Sequence, residues 1–284
     1  MIPETRLKIH GETQLPGICV VYWMIASRRA YYNHSLDHAI ELANERNLPL
    51  VVVEPLAINH QWANDRIHTF VIQGMLSNKK SFEDSNVTYI PYVETKPKEA
   101  KGLLSRWMES ADVLVIDDYP SYYSRKVKET AIKMAKCEVH VVDSNGFMAT
   151  NHTEKKFTTA YSLRRHLHKT ITQHMGEFPS AKPLEKAAKL EKIDYSVIKD
   201  IFAESNTPIT PYEFLWRVCE PHSIGENALS VLSIDHSVHP IKHVKGGTSE
   251  ASKKWNDFLN NRLETYGENR NQPELNGSSG LSPY

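Results

Sequence analysis

The first half of the chain carries five short, nearly continuous apolar runs, and the apolar residues between them recur at helical spacing. Residues 18–23 (Ile-Cys-Val-Val-Tyr-Trp) read as a parallel strand covered on both faces. Leu36, Ala39, Ile40 and Ala43 then mark one helix face at i, i+3, i+4, i+7. Residues 48–53 form the second expected strand, with Pro55 expected to bar its continuation. Ile67, Phe70, Val71 and Met75 place an apolar stripe on another helix. Residues 87–92 are the third strand, and Pro97 opens the next helix. Residues 111–116 are the fourth, ending in Asp117 and Asp118, and a helix through Val127, Ile132 and Ala135 leads to the fifth at 138–142. Strands alternating with helices at these lengths predict a doubly wound α/β domain with a five-stranded parallel sheet.

Such sheets bind ligands beyond the carboxyl ends of their strands, near the point where strand order reverses. The candidates are residues 24–29, Glu54, and the pair Asp117 and Asp118. No G-x-G-x-x-G follows the first strand, so the ordinary dinucleotide fingerprint is absent. The acidic pair either holds a ribose or chromophore ring or caps the next helix. From Asp143 onward the chain is more polar: basic at 151–169, then Lys- and Pro-rich at 179–192, as a solvent-exposed linker would be. Pro208, Pro211, Gly246 and Gly247 punctuate the remainder, and residues 254–266 are helical again, with Trp255, Phe258, Leu259 and Leu263 on one face.

Charge and chemistry narrow the picture. The 34 basic and 34 acidic residues cancel, so any nucleic-acid contact must come from a local patch. Arg164, Arg165, His166, His168 and Lys169 make one such cluster, read either as a phosphate-backbone contact or as a solvated helix face. His34 and His38 stand at i, i+4, but no third ligand clusters with them and no metal site is expected. Three cysteines without paired spacing (Cys19, Cys137, Cys219) point to a reducing compartment, with Cys19 and Cys137 acting as small hydrophobes. Residues 1–17 carry no apolar signal core, and no run approaches a membrane span. A cytoplasmic protein, nuclear if the source is eukaryotic, is the expectation. At the carboxyl end, Ser278, Ser279, Gly280, Leu281, Ser282, Pro283 and Tyr284 offer three hydroxyls and a Gly-containing turn ahead of a Ser-Pro helix opening. That reads as the front edge of a phosphate site, or alternatively as a frayed polar end.

Several segments together resemble the DNA photolyase/cryptochrome family, most of all its class II cyclobutane-pyrimidine-dimer photolyases. They are residues 20–24 continuing through 26–30 to 32–36; residues 48–53 with Ala63, Asn64, Gly74 and Met75; and a carboxyl-terminal set. That set comprises Gly246, Gly247, Glu250, Ala251, Phe258, Arg262, Leu263, Tyr266, Arg270, Asn271, Pro273 and residues 278–284. The resemblance implies an α/β antenna domain at 18–150 after a tail at 1–17. A linker with connecting helices at 151–243 and the opening of an all-helical FAD-binding domain at 244–284 would follow. It implies that Tyr266, Ser278, Ser279, Gly280, Leu281 and Ser282 bind FAD, and that Arg270 contacts DNA near the lesion. Light-driven repair of pyrimidine dimers in UV-damaged DNA, by a monomer with no membrane partner, is the implied activity. For a second antenna chromophore, a deazaflavin, a folate, FMN or none at all fits such an α/β crevice, and no residue selects among them.

The family's isoalloxazine-enclosing helices and Trp relay have no counterpart here, and none of Trp23, Trp62, Trp107, Trp216 or Trp255 matches the relay. No catalytic residue is therefore assigned, and the chain is expected to be an N-terminal portion, inactive alone, with exposed apolar surface on the 254–266 helix. Two other readings stay open: a cryptochrome-like photoreceptor, and a stand-alone α/β chromophore- or nucleotide-binding module.

Overall fold

The computed structural model describes residues 2–219 and 228–284, so residues 220–227 of the expected 151–243 linker lie outside the described residues. Residues divide into two compact units, 1–57 with 81–210, and 58–80 with 211–284.

The first unit is built on a six-stranded sheet in the order β1-β6-β5-β2-β3-β4. The strands are β1 (Leu7–His10), β2 (Cys19–Trp23), β3 (Leu50–Leu56), β4 (Thr88–Val93), β5 (Ala111–Asp117) and β6 (Glu138–Val142). Five of them are parallel, as the apolar runs predict, and strand order reverses between β2 and β5.

The sixth strand corrects the five-stranded expectation. Leu7–His10, read as tail, pairs antiparallel with β6, Leu7 opposite Val142 and His10 opposite Val139. Its anchor is Arg6, whose buried guanidinium donates to the carbonyls of Asp143 (3.0 Å), Asn145 (3.2 Å), Gly146 (3.2 Å) and Phe147 (2.9 Å). Pro55 is the second correction, because β3 continues through it to Leu56. Met24 donates to the Val53 carbonyl and Glu94 to the Leu56 carbonyl, so Pro55 points the missing N–H past the end of β2. A strand proline is tolerated where no ladder bond is due.

Alternation along the strands sorts the core. Cys19, Val21 and Trp23 face a cluster containing Trp107 and Met108 of α3 (Leu103–Ser110), Ala131 of α4 (Tyr122–Met134) and Phe202 of α6 (Tyr195–Glu204). Val20, Tyr22 and Met24 face Leu36, Ala39, Ile40 and Ala43 of α1 (His34–Arg46), together with Ala187 and Leu190. Each such side chain contributes about 2 kcal/mol by leaving water. Asn33 caps α1 by accepting from the Leu36 N–H (3.1 Å), and Asn47 closes it in the left-handed region at φ 51°. Cys19 and Cys137 are buried free thiols; burial pushes them up to about 12 and about 11, which keeps them protonated and inert.

The second unit gathers most of α2 (Asp65–Glu83) with the carboxyl-terminal helices, including α7 (Tyr212–Cys219), α8 (Thr248–Asn261) and the short α9 (Tyr266–Asn269). The Asp65 and Arg66 N–H groups donate to the carbonyls of Asp235 and Val238. Gly246 crosses α2 so closely that a Cβ there would lie 1.9 Å from the Phe70 carbonyl oxygen. Gly246→Ala is therefore expected to destabilise this unit by about 2 kcal/mol or more through overpacking against a backbone that cannot yield. Denaturant unfolding followed on Trp255 fluorescence checks it, and an unchanged midpoint would contradict this packing. Among the described residues no helix is long and apolar enough to cross a membrane.

Candidate functional site

At the switch point of the sheet, the loop after β2 turns three successive N–H groups inward, as an anion-binding nest does. The anion is internal. Asp117, at the end of β5 and almost fully buried, accepts at Oδ2 from the N–H groups of Ile25 (3.0 Å), Ala26 (2.8 Å) and Ser27 (3.1 Å). Its Oδ1 accepts from the Tyr22 hydroxyl (2.8 Å) and from Ser35 Oγ (2.7 Å). Of the two roles open to the acidic pair, Asp117 therefore takes neither: it closes the loop. Asp118 pairs with Lys128. Glu54 is equally internal, accepting from Arg28 Nη1 (3.1 Å) and the Tyr89 hydroxyl (2.5 Å), while Arg28 Nη2 donates to the Pro55 carbonyl (2.6 Å). The crevice candidates at 24–29, Glu54 and Asp117 are thus brought together, with their polar groups turned on one another.

His34 and His38 are buried on α1, and His38 Nε2 meets His140 Nδ1 at 2.8 Å. Among the described residues no three His, Cys, Asp or Glu side chains gather in a way that could hold an ion.

The carboxyl-terminal candidates lie in the second unit. Tyr266 opens α9 with its ring edge-on to Phe258 (centroids 5.6 Å), and the Arg270 guanidinium stands 5.9 Å over the Tyr266 ring. Tyr266 and Arg270 are thereby brought together. Residues 278–282 join them through Arg262, which lies 5.8 Å over the Phe258 ring and donates from Nη1 to the carbonyls of Asn276 (2.9 Å) and Ser278 (2.8 Å). Its Nη2 pairs with Asp257 at 2.6 Å. Arg262, named from the sequence only within the resemblance, is the organiser whose role residue type alone does not give, since a basic residue just past the end of a helix ordinarily faces solvent.

Residues 281–284 form a turn with Tyr284 N–H on the Leu281 carbonyl (2.9 Å) and Tyr284 OH on the Lys245 carbonyl (2.6 Å). The Tyr284 ring packs edge-on against Phe70 (5.2 Å). These contacts correct the frayed alternative: residues 281–284 are held by the chain's own groups. Gly280 sits at φ 67°, and Leu281 N–H reaches Ser279 Oγ at 3.4 Å. Among the described residues the N–H groups of Ser278, Ser279, Gly280 and Ser282, and the hydroxyls of Ser278 and Ser282, have no partner in the chain. A loop with this many unpaired donors on a pinned backbone fits a phosphate.

A Rossmann-like α/β unit with a closed switch-point loop and a helical unit that carries a donor-rich turn at 278–282 is the class of protein these features define. Against known proteins, the profile described as DNA photolyase matches residues 20–186. A deoxyribodipyrimidine photo-lyase of Methanothermobacter thermautotrophicus is 26% identical over 292 residues, covering 100% of this chain and 57% of its own length. One from Arabidopsis thaliana is 26% identical over 275 residues, covering 93% and 50%. The chain thus spans about half the length of the curated relatives it matches. Two solved structures share the fold. They are a bacterial class III photolyase from Agrobacterium tumefaciens (TM-score 0.56, 15% identity, 95% of this chain, 50% of its own) and an archaeal photolyase from Sulfolobus tokodaii with two FAD molecules (TM-score 0.61, 13% identity, 93% and 50%). The chain belongs to the DNA photolyase family.

Proposed function

We propose that this protein serves light-driven, FAD-dependent repair of cyclobutane pyrimidine dimers in DNA, contributing the α/β unit and the first elements of the flavin-binding unit. The observation that carries the reading is the extent of the similarity. It does not stop with the α/β unit; in the Methanothermobacter relative it covers 100% of this chain, including Tyr266, Arg270 and residues 278–282. The unpaired donors of residues 278–282 then hold the FAD phosphates through backbone N–H groups and hydroxyls, on a backbone set by Arg262. Tyr266 lines the flavin, and Arg270 donates to a DNA phosphate beside the lesion. Bound FAD supplies the electron-transfer chemistry that breaks the dimer. A second chromophore on the α/β unit, of deazaflavin, folate or FMN chemistry, gathers light for it, and the working form is a monomer.

The exposure of this region agrees. Trp255 (44%) and Leu259 (40%) on α8 and Tyr266 (38%) at the start of α9 make an apolar strip that further helices of a flavin-binding unit would cover. Expressed from its full reading frame, the protein is expected to purify with flavin absorbance and to remove dimers from UV-irradiated DNA under blue light, not in darkness. Ser278→Glu with Ser282→Glu is expected to cut flavin content at least about tenfold with the circular dichroism spectrum unchanged, because two carboxylates repel the phosphates. Flavin without repair would transfer the protein to the photoreceptor reading; no flavin at all would overturn the cofactor assignment.

A further inference from the structure

Helix α5 (Ala160–Thr170) has no buried residue and no acidic one. Its sequence splits cleanly. Tyr161, Arg164, Arg165, His168 and Lys169 recur at i, i+3, i+4, i+7 and i+8, which places all five on one stripe. Leu163, His166, Leu167 and Thr170 form the opposite side. There His166 Nε2 meets His152 Nε2 at 3.1 Å, and the His166 ring packs against Phe157 (centroids 4.9 Å). The helix is therefore docked by its inner side, and its cationic side turns outward in a set orientation.

Two observations separate this stripe from an ordinary solvated face. Some exposed cations elsewhere are paired, Arg106 with Glu109, Arg125 with Glu129, Lys182 with Glu185 and Lys253 with Glu250. Others, such as Lys126 and Lys133, stand without an ion pair among the described residues but within a helical turn or so of the acidic Glu129 in the sequence. Among the described residues Arg164, Arg165 and Lys169 have no ion pair, although the chain holds as many acids as bases. Between Lys155 and Lys169 stand five Lys and Arg and no Asp or Glu. Clustered like charge destabilises a folded surface unless a polyanion neutralises it. Secondly, Tyr161 is 69% exposed with the Arg165 guanidinium 5.8 Å over its ring, an aromatic support that holds the guanidinium out toward solvent. Arginine forks, lysine and tyrosine are the side chains that donate to phosphate oxygens. A row of them along successive helical turns matches a row of phosphates better than the scattered carboxylates of a protein.

We propose that the outer face of α5 docks on the phosphate backbone of duplex DNA, adding affinity without reading sequence. The inference deepens the DNA-repair reading above and rests on it for the identity of the polyanion.

The test is the salt dependence of binding to a short, undamaged, fluorescein-labelled duplex, followed by anisotropy. The triple variant Arg164→Gln/Arg165→Gln/Lys169→Gln is compared with a control, Arg125→Gln/Lys182→Gln/Lys253→Gln, that removes the same formal charge from paired positions. Three phosphate contacts steepen the log–log salt slope by about 2.7, so between 50 and 200 mM salt the wild type is expected to lose about 40-fold more affinity than the α5 variant. The control is expected to keep the wild-type slope. Equal slopes in all three proteins, or equal loss in both variants, would overturn the proposal. So would competition by poly-glutamate as effective as by DNA at equal charge, which would make the partner an acidic protein. Dimer repair, measured in parallel, keeps the two readings apart. Repair with no α5 effect removes the docking face alone, whereas α5-dependent duplex binding without repair removes the enzyme reading alone.

Discussion

Replacing Asp117 with alanine is expected to lower the unfolding free energy of the α/β unit by about 4 kcal/mol, roughly a thousandfold in the unfolded fraction. The carboxylate accepts five hydrogen bonds, from the N–H groups of Ile25, Ala26 and Ser27 and from the hydroxyls of Tyr22 and Ser35. Truncation leaves all five donors without it, and Tyr22 and Ser35 are fully buried, where a donor without a partner costs about 1–3 kcal/mol. Part of the loop rehydrates, so the total falls below the sum. Asp117→Asn is expected to cost about half as much, since its carbonyl oxygen still accepts while its NH2 cannot. Chemical unfolding of the three proteins measures both steps. If Asp117→Ala and wild type unfold within 1 kcal/mol of each other, the carboxylate does not hold the loop.

The second large effect is acid lability. Burial, reinforced by the nearby Arg6 charge, pushes His34 down to about 4; burial and the adjoining His140 do the same to His38. In the unfolded chain both titrate near 6.5, so between pH 6.5 and 4 the unfolded state binds more protons and stability falls as pH falls. The contribution is fully present above pH 6.5 and lost on the way down through about 4, at about 3 kcal/mol per histidine. Thermal unfolding in buffers from pH 7.5 to 4.5 should therefore show a steep drop in Tm below pH 6.5. In the double variant His34→Gln/His38→Gln the pH profile is expected to be much flatter. A profile as steep as the wild type's would place the acid sensitivity elsewhere.

Much of the α/β architecture was readable because each parallel strand announces itself locally. Residues 18–23 and 111–116 are apolar on both faces, and α1 shows its core stripe at Leu36, Ala39, Ile40 and Ala43, all fully buried. β1 escaped because its four residues, Leu-Lys-Ile-His, form an antiparallel edge that is partly exposed, with Ile9 on the surface. Pro55 misled because a proline's effect depends on which way its nitrogen points, and that is fixed by where β2 ends. The candidate flavin segment was readable as a cluster of hydroxyls and a glycine at 278–282. Its anchoring by Arg262 and by Tyr284 on Phe70 was not, because both contacts close loops that local patterning does not describe.

By itself the sequence determined the alternation of strands and helices, the two core faces of the sheet, the resemblance to photolyases and the basic cluster at 164–169, though not that His166 turns inward. All of these depend on periodicity or short motifs, which neighbouring residues encode. The tertiary structure decided that Asp117 closes the loop after β2, that Arg6 gathers four carbonyls beyond β6, and that His38 meets His140. Those contacts join residues about ninety or more positions apart. Their strength comes from burial, and burial is a property of the assembled core that no stretch of neighbouring residues carries.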